Sequence, residues 1–382
     1  MKFSQSIFLP IAAIALTLSS ASFADNNQRR IDIDSKVVTE HKAKINNQRF
    51  SYTVATGTQP VWDDKGDAIA TLQYTYYTRD KVDDRAKRPL LISFNGGPGS
   101  ASVWMHLAYT GPRVLKIDDE GYPIQPYGVK DNPYSVLDIA DIVYVNPVNT
   151  GYSRVVEDKD GKLLSKAEQK EQFFGVKADI KYLAEWLNTF VNRNERWRSP
   201  KFLIGESYGT TRVSGLAHEL QNSQWMYING VVLVSPTDIG IKRDGPIKAA
   251  NRLPYFAATA WYHKALNANL QAKVLDQLLS EVEQFTINDN LDVPTQFFWK
   301  ELLRDRGQMV GRLDSRYLGI DKRDAGESPD YWAELTSWLH SFTPAINHYL
   351  REELNYKTDI KYNLFGNVHP WDRSGNNTGE NL

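Results

Sequence analysis

Cysteine is absent from all 382 residues. This excludes thiol catalysis, thiolate metal sites and disulfides. In a chain that carries an export signal it points to a bacterial periplasm or exterior, because eukaryotic secretion favours frameworks of bridges. Metal-binding spacing is missing as well. His218-Glu219 is followed by Leu220, Gln221 and Asn222, so His-Glu-x-x-His does not occur, and the seven histidines form no ligand-spaced cluster. The sequence therefore calls for no metal and no cofactor. Its longest N-terminal apolar run, residues 7–18, falls short of the roughly 20 residues that span a bilayer. The net charge of −1 offers no field for nucleic acid or an anionic membrane surface, so neither is expected as a partner. Internal repeats, low-complexity tracts and heptads are also lacking.

What is present begins with a leader. Lys2 gives a positive start, residues 7–18 a short apolar run, and Ser22-Phe23-Ala24 a small-x-small cleavage site, which predicts a signal peptide over 1–24 and a mature N-terminus at Asp25. Residues 25–44 are polar and read as a poorly ordered lead-in. Residues 49–56 and 68–79 alternate with period two and predict paired strands around the turn at 63–66. Residues 88–94 (RPLLISF), 140–146 (ADIVYVN), 201–204 (KFLI) and 230–235 (GVVLVS) are short unbroken apolar runs of the kind found inside a parallel sheet. Between the second and third of these, residues 166–192 carry Phe173, Val176, Ile180, Leu183, Leu187 and Phe190 at helical spacing. Strands alternating with helices imply right-handed crossovers and a parallel sheet.

The chemistry is concentrated in two loops. Gly205-Glu206-Ser207-Tyr208-Gly209 lies between the strand at 201–204 and a helix from Val213 onward. Gly-x-Ser-x-Gly in that setting is a nucleophile elbow, and its glycines are needed where a side chain would strike neighbouring backbone. The strand at 88–94 runs into Asn95-Gly96-Gly97-Pro98-Gly99-Ser100, which lacks the Lys-Ser/Thr of a P-loop and the spacing of a dinucleotide fold. Bare backbone N–H groups there suit a developing oxyanion. After Pro236 the pattern changes to helical and aromatic, with helices expected at 269–285, 295–306 and 329–354. This reads as a helical cap that roofs the pocket, with Trp261, Tyr262, Phe297, Phe298 and Trp299 as aromatic candidates for its lining or its core.

Taken together, these segments resemble the serine carboxypeptidase family on its bacterial, disulfide-free branch. Residues 95–100 (NGGPGS), Gly111-Pro112, 132–135 (NPYS), 147–154 (PVNTGYSR) and 205–209 (GESYG) follow the family's blocks in order, and 311–316 (GRLDSR) is similar to a cap motif. The resemblance implies an α/β-hydrolase fold, a mostly parallel sheet with helices on both faces and a helical cap insertion. It divides the chain into a signal peptide (1–24), a core (25–239), a cap (240–355) and a return to the core (356–382). It implies release of C-terminal residues from peptide substrates, with Ser207 as nucleophile and the backbone N–H groups of Gly97 and Tyr208 as oxyanion hole. Asn95 and Glu206 would bind the substrate's free carboxylate. Glu206 can donate to that carboxylate only when protonated, which predicts an acidic optimum.

Departures from the family pattern accompany the likeness. Tyr109 stands where eukaryotic-type members carry a second glutamate, and Asn146 and Asn149 stand where an acidic residue and a glycine are usual. The triad's aspartate and histidine are expected on late strands after the cap, and no such strand is legible before Leu382. His218, His263, His340, His348 and His369 follow Ser207, but none follows a late core strand. This reads as a truncated chain whose last core strands are missing. An inactive peptide-binding homologue, and an esterase or acyltransferase on the same scaffold, remain the other readings at this stage.

Overall fold

The computed structural model describes residues 31–119, 121–236, 246–285, 338 and 340–365. The leader at 1–24, the segment 311–316, Phe297, Phe298, Trp299 and His369 lie outside the described residues.

Three long strands open the fold: β1 (Ser35–Ile45), β2 (Gln48–Trp62) and β3 (Ala68–Arg79), paired antiparallel. β1 corrects the expectation of a poorly ordered lead-in. Its alternation is real but diluted by lysines: Val37, Thr39 and His41 lie half-buried and Ala43 and Ile45 buried on one side, while Lys36, Glu40, Lys42 and Lys44 face water. β4 (Leu90–Phe94) follows, then a separate hairpin of β5 (Arg113–Leu115) and β6 (Val129–Asp131). Next come β7 (Asp141–Val145), β8 (Arg154–Val155), β9 (Lys201–Glu206) and β10 (Gly230–Val234).

The main sheet runs β1-β2-β3-β7-β4-β9-β10, with β8 paired to β3. β7, β4, β9 and β10 are mutually parallel, and β3 meets β7 antiparallel. β4 and β7 are buried throughout, as unbroken apolar runs require when both sheet faces are covered.

One face packs helices α1 (Lys166–Phe173), α2 (Val176–Arg193) and α3 (Tyr208–Ser223). The single helix expected over 166–192 is interrupted at Gly175, whose φ of 153° separates α1 from α2. The stripe itself is buried against the sheet, with Trp186 and Phe190 stacked at 5.3 Å and Phe190 edge-on to Tyr74. Helices α4 (Pro246–Tyr262), α5 (Ala268–Gln271) and α6 (Leu275–Gln284) have a small core of their own, in which Leu253, Ala257, Leu278 and Val282 are buried. Trp261 packs on that core, and Tyr262 is exposed. The opposite sheet face carries a π-helical turn at Met105–Thr110 and residues of α7 (Thr343–His348) with the segment after it. That segment returns to the site: Gly151 and Asn363 exchange backbone hydrogen bonds of 2.7 and 2.9 Å, and the Ala101 N–H donates to Leu364 at 3.0 Å.

Candidate active site

β9 ends at Glu206 and α3 begins at Tyr208, so Ser207 must turn the chain alone. Its φ of 57° and ψ of −125° lie in a region that a residue with a Cβ rarely adopts, and such strain persists only where the surroundings enforce it. Here they do. The Ser207 N–H donates to the Val234 carbonyl of β10 at 3.0 Å, and the Thr210 N–H and hydroxyl donate to the Ser207 carbonyl at 2.9 and 2.7 Å. The turn leaves no room for side chains: a Cβ on Gly205 would stand 2.1 Å from the Gly209 carbonyl oxygen.

The glycine loop lies directly on this turn. A Cβ on Gly96 would come within 2.5 Å of the Tyr208 nitrogen and 2.6 Å of the Glu206 carbonyl oxygen. Gly97 has a φ of 104°, is exposed, and its N–H meets no acceptor among the described residues. The side chain of Asn95 is fully buried. Its amide donates to Glu206 Oε2 at 3.1 Å while its oxygen accepts from the Met105 N–H at 2.9 Å. Carboxyl and carboxamide are thus fixed side by side next to Ser207. Below them, Ser102 accepts from the Asn95 N–H and donates to the Val145 carbonyl, and Asn146 accepts from the Ser102 N–H at 2.8 Å and donates to Gln73. Asn146 therefore serves as a neutral strut under the loop. A Cβ on Gly151 would lie 2.3 Å from its amide nitrogen, which explains that glycine.

A buried ion pair that the sequence reading missed sits beneath both loops. Arg212 of α3 donates to Asp179 of α2 from Nε at 2.8 Å and from Nη2 at 3.3 Å. The same guanidinium donates to the Asn95 carbonyl at 2.7 Å and to the Pro98 carbonyl at 3.1 Å. The Tyr208 hydroxyl donates to Asp179 at 3.3 Å. Burial opposes the Arg212 charge, but Asp179 together with Tyr208 and Tyr182 outweighs it and raises the guanidinium pKa. One signal was available: Asp179 lies between Val176 and Leu183 on the apolar stripe, and a charge at such a position needs a buried partner.

Among the described residues no histidine bonds Ser207. His218 is exposed on α3 beside Asn222, and His263 and His340 are exposed. His106, buried in the π-helical turn, contacts the Tyr77 hydroxyl at 2.5 Å. Tyr109, at the position of the second glutamate, is largely exposed, and its carbonyl accepts from Asn132 at 3.0 Å.

It is the α/β-hydrolases that set a serine on a strained turn between a parallel strand and a helix, and this chain has their fold. Within that class it belongs to the serine carboxypeptidase family (Peptidase S10), which matches residues 65–299. It is 27% identical over 310 residues to serine carboxypeptidase-like 16 of Arabidopsis thaliana, covering 79% of this chain and 62% of that protein. To serine carboxypeptidase-like 8 of the same plant it is 28% identical over 161 residues, covering 41% and 33%. Among solved structures it is similar to Kex1, a prohormone-processing carboxypeptidase from Saccharomyces cerevisiae, at 17% identity and a TM-score of 0.40, covering 62% of this chain and 49% of that one. The chain spans from about a third to just under two thirds of the length of these curated relatives.

Proposed function

We propose that this protein is an exported serine-type carboxypeptidase that releases C-terminal residues from peptides through an acyl-enzyme on Ser207. The observation that carries the reading is the Asn95–Glu206 pair, hydrogen-bonded at 3.1 Å and adjoining the serine in space and in sequence. An esterase needs the serine, its base and the oxyanion donors, but no pair of donors for a carboxylate. An amide next to a carboxyl that can be protonated offers two hydrogen-bond donors to a carboxylate, which suits a free peptide C-terminus.

In this reading the Ser207 oxygen attacks the scissile carbonyl, and its proton passes to a general base. The carbonyl oxygen becomes an oxyanion held by the N–H groups of Gly97 and Tyr208. The base returns that proton to the scissile nitrogen as the tetrahedral intermediate collapses and the C–N bond breaks, so the C-terminal residue leaves as its amine. The base then takes a proton from water, whose oxygen attacks the acyl carbonyl, and returns it to the Ser207 oxygen as the ester bond breaks. The leader at 1–24 would take the protein to the periplasm or beyond. Because Glu206 donates to the substrate carboxylate only when protonated, binding weakens as pH rises.

The test is hydrolysis of a blocked dipeptide, its C-terminal amide and a simple aryl ester. The dipeptide acid should be cleaved in strong preference to its amide. Ser207→Ala should remove the acyl-enzyme turnover altogether, because the serine oxygen is the atom that becomes acylated. Glu206→Gln should flatten the fall of kcat/KM between about pH 4 and pH 8. A wild-type profile already flat over that range would remove the role given to Glu206. Turnover of the aryl ester alone would make the protein an esterase.

A further inference from the structure

We propose that the Arg212–Asp179 pair is a positioning device that sets the spacing between the two oxyanion donors, an inference that rests on the carboxypeptidase reading. The donors come from separate parts of the chain, Gly97 from the loop after β4 and Tyr208 from the first turn of α3. Nothing in either segment alone fixes the distance between their N–H groups. The ion pair joins them. Arg212 spends its Nε and part of Nη2 on Asp179, and Nη1 with the rest of Nη2 grips the carbonyls of Asn95 and Pro98 at 2.7 and 3.1 Å. Those two carbonyls bracket Gly96-Gly97, so a planar five-donor fork holds both ends of the segment that presents the Gly97 N–H. Asp179 in turn accepts from the Tyr208 hydroxyl at 3.3 Å and from the Tyr182 hydroxyl at 3.4 Å. The guanidinium lies 5.2 Å from the Tyr208 ring centre and 5.7 Å from that of Phe94, so the rings on both sides of the gap rest on it.

A purely structural role makes a different demand. A buried ion pair kept only to fill space can be replaced by apolar residues of similar volume with little or no loss of stability. The carbonyls of Asn95 and Pro98 give this pair something further to do, because apolar replacements leave them without a donor.

The experiment compares the wild-type chain with Arg212→Met, Arg212→Lys and the double variant Asp179→Leu/Arg212→Met, which removes both charges and keeps the volume. Two readouts are taken: hydrogen–deuterium exchange of the peptide covering residues 95–103, which needs no turnover, and kcat and KM for the blocked dipeptide. All three variants should raise exchange in that peptide and leave β9 unchanged. The kcat should fall about tenfold to a hundredfold, less than the 10²–10³ of losing a donor outright, with KM rising far less because Asn95 is held separately by Glu206 and Met105. Arg212→Lys, which keeps the charge and loses the fork, should resemble Arg212→Met. If the double variant melts like the wild type and retains wild-type exchange or kcat, the pair is structural only and the proposal is wrong. Full rescue by Arg212→Lys would overturn it too, since charge alone would then suffice. If the wild type cleaves no dipeptide, the carboxypeptidase reading fails by itself, and the exchange data still decide whether the pair holds the loop.

Discussion

One buried imidazole makes the folded state less stable in acid than in neutral water. His106 is fully enclosed, stacked on Tyr144 at 4.4 Å and bonded to the Tyr77 hydroxyl, which also bonds Tyr349 at 2.8 Å. Burial lowers its pKa to about 3, so the folded state holds it neutral. Unfolding restores a value near 6.5, and between the two values the unfolded chain binds more protons than the folded one. Stability is therefore complete above about pH 6.5 and falls with pH, by about 2 kcal/mol on going from pH 7 to pH 5. Urea unfolding at those two pH values should show that loss, and His106→Gln, which keeps a hydrogen-bonding group and does not titrate, should show much less of it. An unchanged slope in the variant would assign the acid sensitivity to other groups. The acid limb of any activity profile should follow the loss of folded protein and move outward in His106→Gln.

At the scale of elements, the sequence displayed periodicity well and partnership poorly. The apolar runs of β4, β7 and β9 were readable because burial on both faces leaves no alternation to interpret, whereas the run of β10 has the same sequence signature although its side chains are half in water. β1 was hidden because only one of its faces is covered and lysines occupy the other. The break at Gly175 was hidden because the stripe continues in phase across it. Ser207, Glu206 and Asn95 were legible as motifs, since a tight turn needs glycines at fixed positions. Arg212 and Asp179 were not, because each makes sense only once α2 and α3 are side by side. The same holds at the other end of the strands. There Asp141, at the start of β7, accepts from Arg88 and Arg196 at 2.7 Å each and from Arg85 at 2.9 Å. Arg196 also donates to the Arg88 carbonyl at 2.8 Å, so β4 and β7 are tied together at their first residues to the turn that precedes β9. Burial decides which of the three cations matters. Arg196 and Asp141 have side chains at 0% exposure, and breaking such a pair from one side costs about 3–5 kcal/mol. Arg85 is 41% exposed, and pairs of that kind contribute about 0–1 kcal/mol. Urea denaturation should accordingly rank Asp141→Asn and Arg196→Met as severe and Arg85→Met as mild. Equal losses for the two arginines would mean that Arg196 acts through packing rather than charge.

For the whole molecule, the outer edge of the sheet bears most directly on behaviour in solution. β10 reads as an interior strand, yet Val231, Val232 and Leu233 are 38%, 45% and 48% exposed. Among the described residues nothing pairs with its outer side. On the face below, Val232 joins Leu91, Ile204, Trp104 and Trp338 around an apolar cavity of about 810 Å³. An unpaired, apolar strand edge is a template for another strand, and natural edges are usually blunted by lysine, proline or a bulge, none of which β10 contains. The edge also bears on the site, because the Val234 carbonyl holds the Ser207 N–H at 3.0 Å. Sedimentation velocity of the 382-residue chain should show self-association that grows with concentration, and Leu233→Lys should suppress it. Because Leu233 is already half in water, that substitution should shift stability by no more than about 0.5 kcal/mol, so a large stability loss would mean that the edge is covered in solution. Association undiminished in Leu233→Lys, with stability preserved, would place the sticky surface elsewhere, the cavity beside Trp104 being next to test with Val232→Lys.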